Sequence, residues 1–246
     1  MTCRVRDSRG EPSGLITKRT REIGLPRTNA ILSWSGGKDS SLALQEASES
    51  PDLEVVSLLT TLTGDFNRVS MHGVRRTLLH IQARNLRLPL DEVWIGKGAS
   101  NDEYSSAMRE AMLKHHGRGV RCVVFGDIFL EDIRRFREDE LSKVAMEGVF
   151  PLWMKDTTRL ATQFVKDGFK AVVCTVDPKA LNKSYCGREF DESFISDLPP
   201  SVDPCGENGE FHTFVYDGPM FEKEVPIRKG EIVLRDGFYF ADILLR

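Results

Sequence analysis

The chain lacks the paired cysteines that would mark a local zinc or iron–sulfur site. Its five cysteines, Cys3, Cys122, Cys174, Cys186 and Cys205, are scattered, and no two of them form a Cys-x-x-Cys pair. Cys122 and Cys174 lie in apolar runs and read as small buried hydrophobes of a reducing compartment. Neither sign of charge dominates. The 246 residues carry 34 Lys and Arg against 37 Asp and Glu, a formal charge of −3. That balance gives no general pull toward nucleic acid or an anionic membrane. No apolar run approaches the roughly 20 residues of a membrane span, and the N-terminus has no secretory hydrophobic core. Residues 1–27 mix Arg, Asp, Gly, Pro and Ser without periodicity and read as a mobile leader. Acidic residues among them argue against a transit peptide. What remains is a cytoplasmic protein whose 40% hydrophobic content is ample for a buried core.

Against these absences, Ser35-Gly36-Gly37-Lys38-Asp39-Ser40 stands out. It follows the apolar, strand-like run Asn29–Trp34 and precedes Ser41–Ala47, which has an apolar face at helical spacing. Two glycines let backbone turn tightly and come close to a ligand, and the flanking serines are candidate caps and hydroxyl donors. A helix N-terminus is a natural anion site, and Lys38 adds a full positive charge there. The usual phosphate loop is not matched: Leu32 replaces its leading glycine, and Asp39 its trailing hydroxyl residue. Ser33-x-Ser35-Gly36-Gly37-Lys38-Asp39-Ser40 instead resembles the PP-loop of the ATP pyrophosphatase superfamily. That resemblance implies a doubly wound α/β sheet and ATP phosphates on the loop after the first strand.

Downstream, strand and helix patterns alternate. Strands are expected at Leu53–Leu62, Glu92–Ile95, Arg121–Asp127 and Phe169–Asp177. Helices are expected at Val74–Asn85, Asn101–His116, Ile133–Met146 and Thr157–Asp167. Such alternation argues a parallel sheet with right-handed crossovers. After Asp203 the pattern turns to glycine-rich turns and short strands, with hairpin turns expected at Lys229-Gly230 and Asp236-Gly237. The expected division is a PP-loop ATP-binding domain over 28–150 and a smaller C-terminal α+β substrate region over 151–246.

Ligands of open α/β sheets bind beyond the carboxyl ends of the strands. Unusual polar segments stand there: Thr63–Gly73 with Arg68, Met71 and His72; Gly126-Asp127-Ile128; and Asp203–Thr213 with its GENGEFHT core, followed by Asp217–Phe221. Together with Phe150-Pro151-Leu152-Trp153, these segments resemble the diphthine–ammonia ligase family and its bacterial homologues. Arg68–Gly73 is similar to the bacterial form. The resemblance implies an enzyme that adenylates a carboxylate, releases pyrophosphate, and lets ammonia displace AMP to form an amide. The implied acceptor is diphthine on elongation factor 2 in eukaryotes and archaea, and a small molecule in bacteria.

Adenylation puts negative charge on the α-phosphate, which calls for donors, a cation and Mg²⁺. Ser33, Ser35, Gly36, Gly37, Lys38, Asp39, Ser40, Thr61, Met71 and His72 are the expected ATP-binding residues. Asp39 either faces Mg²⁺ or holds the loop, and Asp127, at a strand end, is the second candidate metal ligand. Glu207 and Glu210 are spaced to share one side of a glycine turn, where one of them takes a proton from attacking ammonia. With Lys38 and Asp39 they form the expected catalytic set. Arg68, Gly126, Asp127, Gly206, Glu207, Glu210, His212 and Thr213 are the expected acceptor-side residues. Arg134 or Arg137 is a further candidate for meeting an anion.

No catalytic cysteine follows Met1, so free ammonia or a partner supplies the nitrogen. A homodimer is the expected assembly. The PP-loop half is expected to bind ATP by itself, with the segment after Asp177 conferring acceptor specificity. Two other readings stay open: a PP-loop enzyme acting on tRNA, and a nucleotide sensor without catalysis. The first calls for a basic face that the composition does not offer. The second leaves the acids of 203–213 without a purpose.

Overall fold

The structure is a computed structural model that describes residues 26–64 and 72–246, with backbone alone for Arg68–Val69. Met71, the Arg68 side chain and nearly all of the expected leader therefore lie outside the described residues. The first half runs β1 (Thr28–Ser33), α1 (Lys38–Glu49), β2 (Leu53–Thr63), β3 (Arg68–Val69), α2 (Arg76–Asn85), β4 (Leu90–Ile95), α3 (Asn101–Gly117), β5 (Cys122–Val124), α4 (Glu131–Ser142) and β6 (Glu147–Val149). The second half runs α5 (Thr157–Lys166), β7 (Lys170–Val176), α6 (Glu192–Asp197), β8 (Phe211–Asp217), β9 (Ile227–Arg235) and β10 (Phe238–Leu245).

Five strands form a parallel sheet in the order β4-β2-β1-β5-β6, and β3 adds antiparallel at the end of β2. Alternate residues of β1 face opposite layers. Ala30 and Leu32 pack with Leu42 and Ala43 of α1 and Leu78 of α2. Ile31 packs with Met112 of α3 and Leu141 of α4. Period-2 alternation under helices on both faces is what makes the sheet doubly wound, the form that the resemblance of the Ser33–Ser40 motif implies. Local chemistry fixes the helix starts. Ser100 and Glu103 form a reciprocal capping box on α3, and Asp156 accepts from Arg159 N at 2.8 Å to cap α5.

The second sheet is antiparallel, in the order β8-β7-β10-β9. Its Val172, Phe214 and Ile243 belong to the same apolar cluster as Leu32 and Leu78, so the two halves share a core. Asp236-Gly237 is the expected turn, both residues having positive φ, at 51° and 86°. Lys229-Gly230 is not a turn. It lies inside β9, near an irregularity in the register with β10 between Ala241 and Ile243. The helix expected over 133–146 starts two residues earlier and ends at Ser142, and Glu147–Val149 then forms a sheet strand. No helix among the described residues is long and apolar enough to cross a membrane.

Candidate active site

The SGGKDS loop joins β1 to α1, with Gly37 as the helix N-cap. The flanking serines do not cap α1 as expected. The Ser40 and Ser41 hydroxyls donate to Gly37 O at 2.9 and 3.0 Å, while Ser35 Oγ accepts from Gly37 N at 3.2 Å. Gly36 has φ +78°, and a Cβ there would come within 2.6 Å of Leu79 Cδ2 and 2.7 Å of Gln82 Oε1. Only glycine fits that position.

The loop is held by the other half of the chain. Val215 N of β8 donates to Gly36 O at 2.9 Å, and Lys38 N donates to Thr213 Oγ1 at 3.0 Å. Lys38 is 2% exposed, and its Nζ donates to the Cys205 carbonyl and to Asp39 Oδ2. Burial opposes the Lys38 charge, but Asp39, Cys205 and Glu207 together hold its pKa above the ordinary value. Residues 203–213 thus sit against the phosphate loop, although a long stretch of chain separates them.

Asp39 keeps Oδ2 on Lys38, whereas its Oδ1 is buried without a hydrogen-bond partner. Burial pushes this carboxyl upward, and Lys38 pulls it back only in part. Glu207 Oε1 accepts from Ile128 N at 2.7 Å and weakly from Phe129 N at 3.4 Å. It thereby bridges the 203–213 loop to the loop after β5. Burial pushes Glu207 up to about 7, and the negative charges of Asp39 and Asp127 add to the shift.

Glu210 does not share that position. Its Oε1 accepts from Asp203 N at 3.1 Å and Asn208 Nδ2 at 3.0 Å, so it braces its own loop. Asp203 Oδ1 accepts from Cys205 N and Glu207 N, completing that brace.

His72 and His212 pair beside Gly37, with ring centroids 4.5 Å apart. Burial lowers His72 to about 4 and takes His212 well below its ordinary value; Lys38 contributes to both shifts. Both rings are therefore neutral at physiological pH. Gly126 is tied to the loop by steric need, since a Cβ there would lie 2.8 Å from the Asp39 carbonyl carbon. Gly206, with φ +67°, packs beneath Phe211 in the same way.

Other expected residues find different surroundings. Asp127 is ion-paired with Arg137 at 2.9 Å, and that guanidinium lies 4.3 Å over the Phe125 ring. Arg134 lies over the Phe150 and Trp153 rings, 4.8 and 4.6 Å from their centroids, and bonds Glu138 at 2.8 Å. Thr61 is a half-buried β2 residue opposite Val93, and Ser33 ends β1. Among the described residues no three His, Cys, Asp or Glu side chains gather as a metal-binding group. Asp39 Oδ1 and Glu210 Oε2 are both buried carboxylate oxygens lacking a hydrogen-bond partner, and Asp39 Oδ1, being on the phosphate loop itself, is the better suited to a cation arriving with a nucleotide. Asp127, already neutralised by Arg137, is less suited.

The sequence reading missed Asp203 and Gln82. Asp203 falls within a segment that was noted, but nothing in the sequence told its bracing role from a surface acid. Gln82 gave one usable signal, a polar residue on the buried stripe Leu78, Leu79, Ala83 of α2.

The chain resembles known proteins along nearly all of this architecture. Residues 28–147 match the diphthamide synthase N-terminal domain, and residues 156–243 match the diphthamide synthase C-terminal domain. A fission yeast (Schizosaccharomyces pombe) diphthine–ammonia ligase is 26% identical over 219 residues, which cover 81% of this chain and 36% of that protein. The human diphthine–ammonia ligase is 26% identical over 120 residues, 46% of this chain and 45% of that one. The zebrafish (Danio rerio) protein of the same name is 29% identical over 123 residues, 46% of this chain and 47% of its own. The matches thus span less than half the length of these relatives. With both domain models matched in order and the phosphate loop joined to the second sheet, the chain belongs to the diphthamide synthase family.

Proposed function

We propose that this chain is an ATP-dependent carboxylate–ammonia ligase of the diphthine–ammonia ligase kind. The observation that carries the reading is the junction of the SGGKDS loop with the 203–213 loop through Lys38, Thr213 and Cys205. A site that only binds ATP has no need of an acidic loop against its phosphates. A ligase must bring an acceptor and an amine there, with reacting atoms within about 3–3.5 Å.

In this reading an acceptor carboxylate oxygen bonds to the α-phosphorus of ATP, and the bond to pyrophosphate breaks. Ammonia then adds to the acyl adenylate carbonyl, the nitrogen loses a proton, and the bond to AMP breaks. Ser33, Ser35, Gly36, Gly37 and Ser40 supply the phosphate cradle, and Lys38 offsets charge from beneath it. Asp39, through Oδ1, would hold Mg²⁺, which offsets the charge on the phosphate oxygens when bound; Asp127 is the weaker candidate.

Glu207 takes the proton. Its pKa near 7 puts it at the crossover where a base both accepts protons and is available to do so. Glu210 keeps the loop in shape, and Thr213 and Gly206 fix its approach to Lys38. Thr61 and His72 are assigned to the nucleotide and His212 to the acceptor; Met71 and Arg68 keep the roles expected from sequence, nucleotide and acceptor respectively, Met71 and the Arg68 side chain lying outside the described residues. The nucleotide part covers 28–150 and the acceptor part 151–246, in a cytoplasmic, homodimeric enzyme. Diphthine on elongation factor 2 is the first acceptor to test, and a small carboxylate the second.

The test is a coupled assay with ATP, Mg²⁺, ammonium and each candidate acceptor. Pyrophosphate, AMP and amide should form in equal amounts. Formation of ADP and phosphate, or pyrophosphate release that ignores both ammonium and acceptor, would overturn the reading.

A further inference from the structure

We infer that Gln82, on α2, is a positioning residue that sets the shape of the phosphate loop by joining it to β8; this rests on the ATP-binding reading above. Gln82 is fully buried, on a stripe whose other members, Leu78, Leu79 and Ala83, are apolar. A buried amide on such a stripe is costly unless its polar atoms are satisfied. Here they are. Its Nε2 donates to Gly36 O at 3.0 Å and to Val215 O at 2.5 Å, and its Oε1 accepts from Trp34 Nε1 at 3.0 Å.

The indole can only donate, so Trp34 fixes which end of the amide faces it and turns both amide hydrogens toward the two carbonyls. Those carbonyls belong to the two elements that meet at the site. Gly36 is the first glycine of the phosphate loop, and Val215 lies in β8, two residues beyond Thr213. Val215 N donates to the same Gly36 oxygen at 2.9 Å, so Gly36 O is gripped from β8 and from α2 at once. The fit is steric as well as polar, because a Cβ on Gly36 would lie 2.7 Å from Gln82 Oε1.

Gln82 touches no reacting atom. It acts through Gly36, keeping the loop at positive φ, and through Val215, keeping Thr213 within reach of Lys38 N. Without its two donors, the loop is held to β8 by fewer bonds and samples other shapes, so nucleotide affinity falls.

The test is Gln82→Met, which keeps length and volume while removing both donors, in the full chain. ATP affinity is read by titration calorimetry with Mg²⁺, beside thermal unfolding without nucleotide. Folded Gln82→Met should bind ATP at least tenfold more weakly than wild type. Affinity within twofold of wild type, with only a lower unfolding temperature, would reduce Gln82 to a packing residue and overturn the inference. Should Gln82→Met fail to fold, Trp34→Phe frees the amide to flip while keeping an aromatic in place. It should weaken ATP binding about threefold or more, and unchanged affinity would overturn the inference. Wild-type protein that does not bind ATP would instead overturn the functional reading on which this rests.

Discussion

The two sheets of this protein treat their edges differently. The parallel sheet is closed by helices on both faces, and its chemistry sits in the usual place, beyond the carboxyl end of a central strand. The antiparallel sheet runs its outer strand β8 into the phosphate loop, so backbone of the first half takes the place of a further strand. A sheet edge left with unpaired groups is a liability, and here it serves as the loop's clamp. The sequence leads to an ATP site complete in the first half, whereas the structure ties the phosphate loop to the second half as well. The loop's shape depends on Thr213, Val215 and Cys205.

The comparison breaks most sharply at Lys38. Removing its side chain should cut ATP turnover by about a hundredfold or more, as loss of a charge-stabilising donor does elsewhere. Lys38 lies outside the apolar runs, yet it is buried, so Lys38→Ala should destabilise the fold as well. Asp39 would lose its cation and the Cys205 carbonyl its donor, and stranding such partly buried partners costs about 1–3 kcal/mol. Unfolding by denaturant should report that loss, and wild-type stability in Lys38→Ala would refute the clamp.

Glu207→Gln should come next in size, slowing amide formation by about a hundredfold while ATP affinity stays within twofold. Glutamine can still accept from Ile128 N, so the bridge between the two loops survives. Burial raises the Glu207 pKa to about 7, so the carboxylate is protonated below that value and ionised above it. At a constant concentration of free ammonia, wild-type amide formation should therefore rise with pH through about 7 and then level off, with the rise absent in Glu207→Gln. The raised pKa also means that ionising Glu207 costs native stability as pH rises from its unfolded value toward 7. At pH 8 the glutamine variant should accordingly unfold at the same temperature as wild type or higher. A marked drop in its ATP affinity would make Glu207 a nucleotide ligand instead.

Thr213→Val sharpens the comparison with a smaller change. It keeps the shape and removes only the acceptor for Lys38 N, a loss of about 1–2 kcal/mol. ATP binding should weaken about tenfold, although the residue lies in the other half of the chain. An unchanged dissociation constant would return the loop to the first half alone.

The smallest effect should come from the histidine pair. Burial lowers His72 to about 4, so its contribution to stability is complete above the unfolded pKa near 6.5 and falls away as pH drops from there toward 4. His72→Phe should flatten the stability profile in that window. A profile identical to wild type would mean that the ring is not held neutral by burial.

Much of this was legible beforehand, because local patterns carry it. The alternation of strand and helix patterns led to the parallel sheet, and the resemblance of the Ser33–Ser40 motif supplied its doubly wound form. The legible errors were also local in origin. Lys229-Gly230 looks like a turn, yet it is absorbed into β9 because pairing with β10 continues past it. Glu147–Val149 is too short to read as a strand, and becomes one only because β5 lies alongside.

The acids of 203–213 were legible as a group but not one by one. Glu207 and Glu210 are equivalent by spacing, and only the loop's folded path turns one toward Ile128 and the other back toward Asp203. Sequence by itself determined the sheet, the phosphate loop and the kinship, since periodicity and a rigid glycine motif act over a few residues. Tertiary structure alone decided that Lys38 is buried, that β8 and Gln82 hold Gly36, and that Glu207 is the acid bonded to Ile128 N. Each of these depends on atoms far apart in the chain coming within hydrogen-bonding distance and losing water together, and no local pattern encodes that.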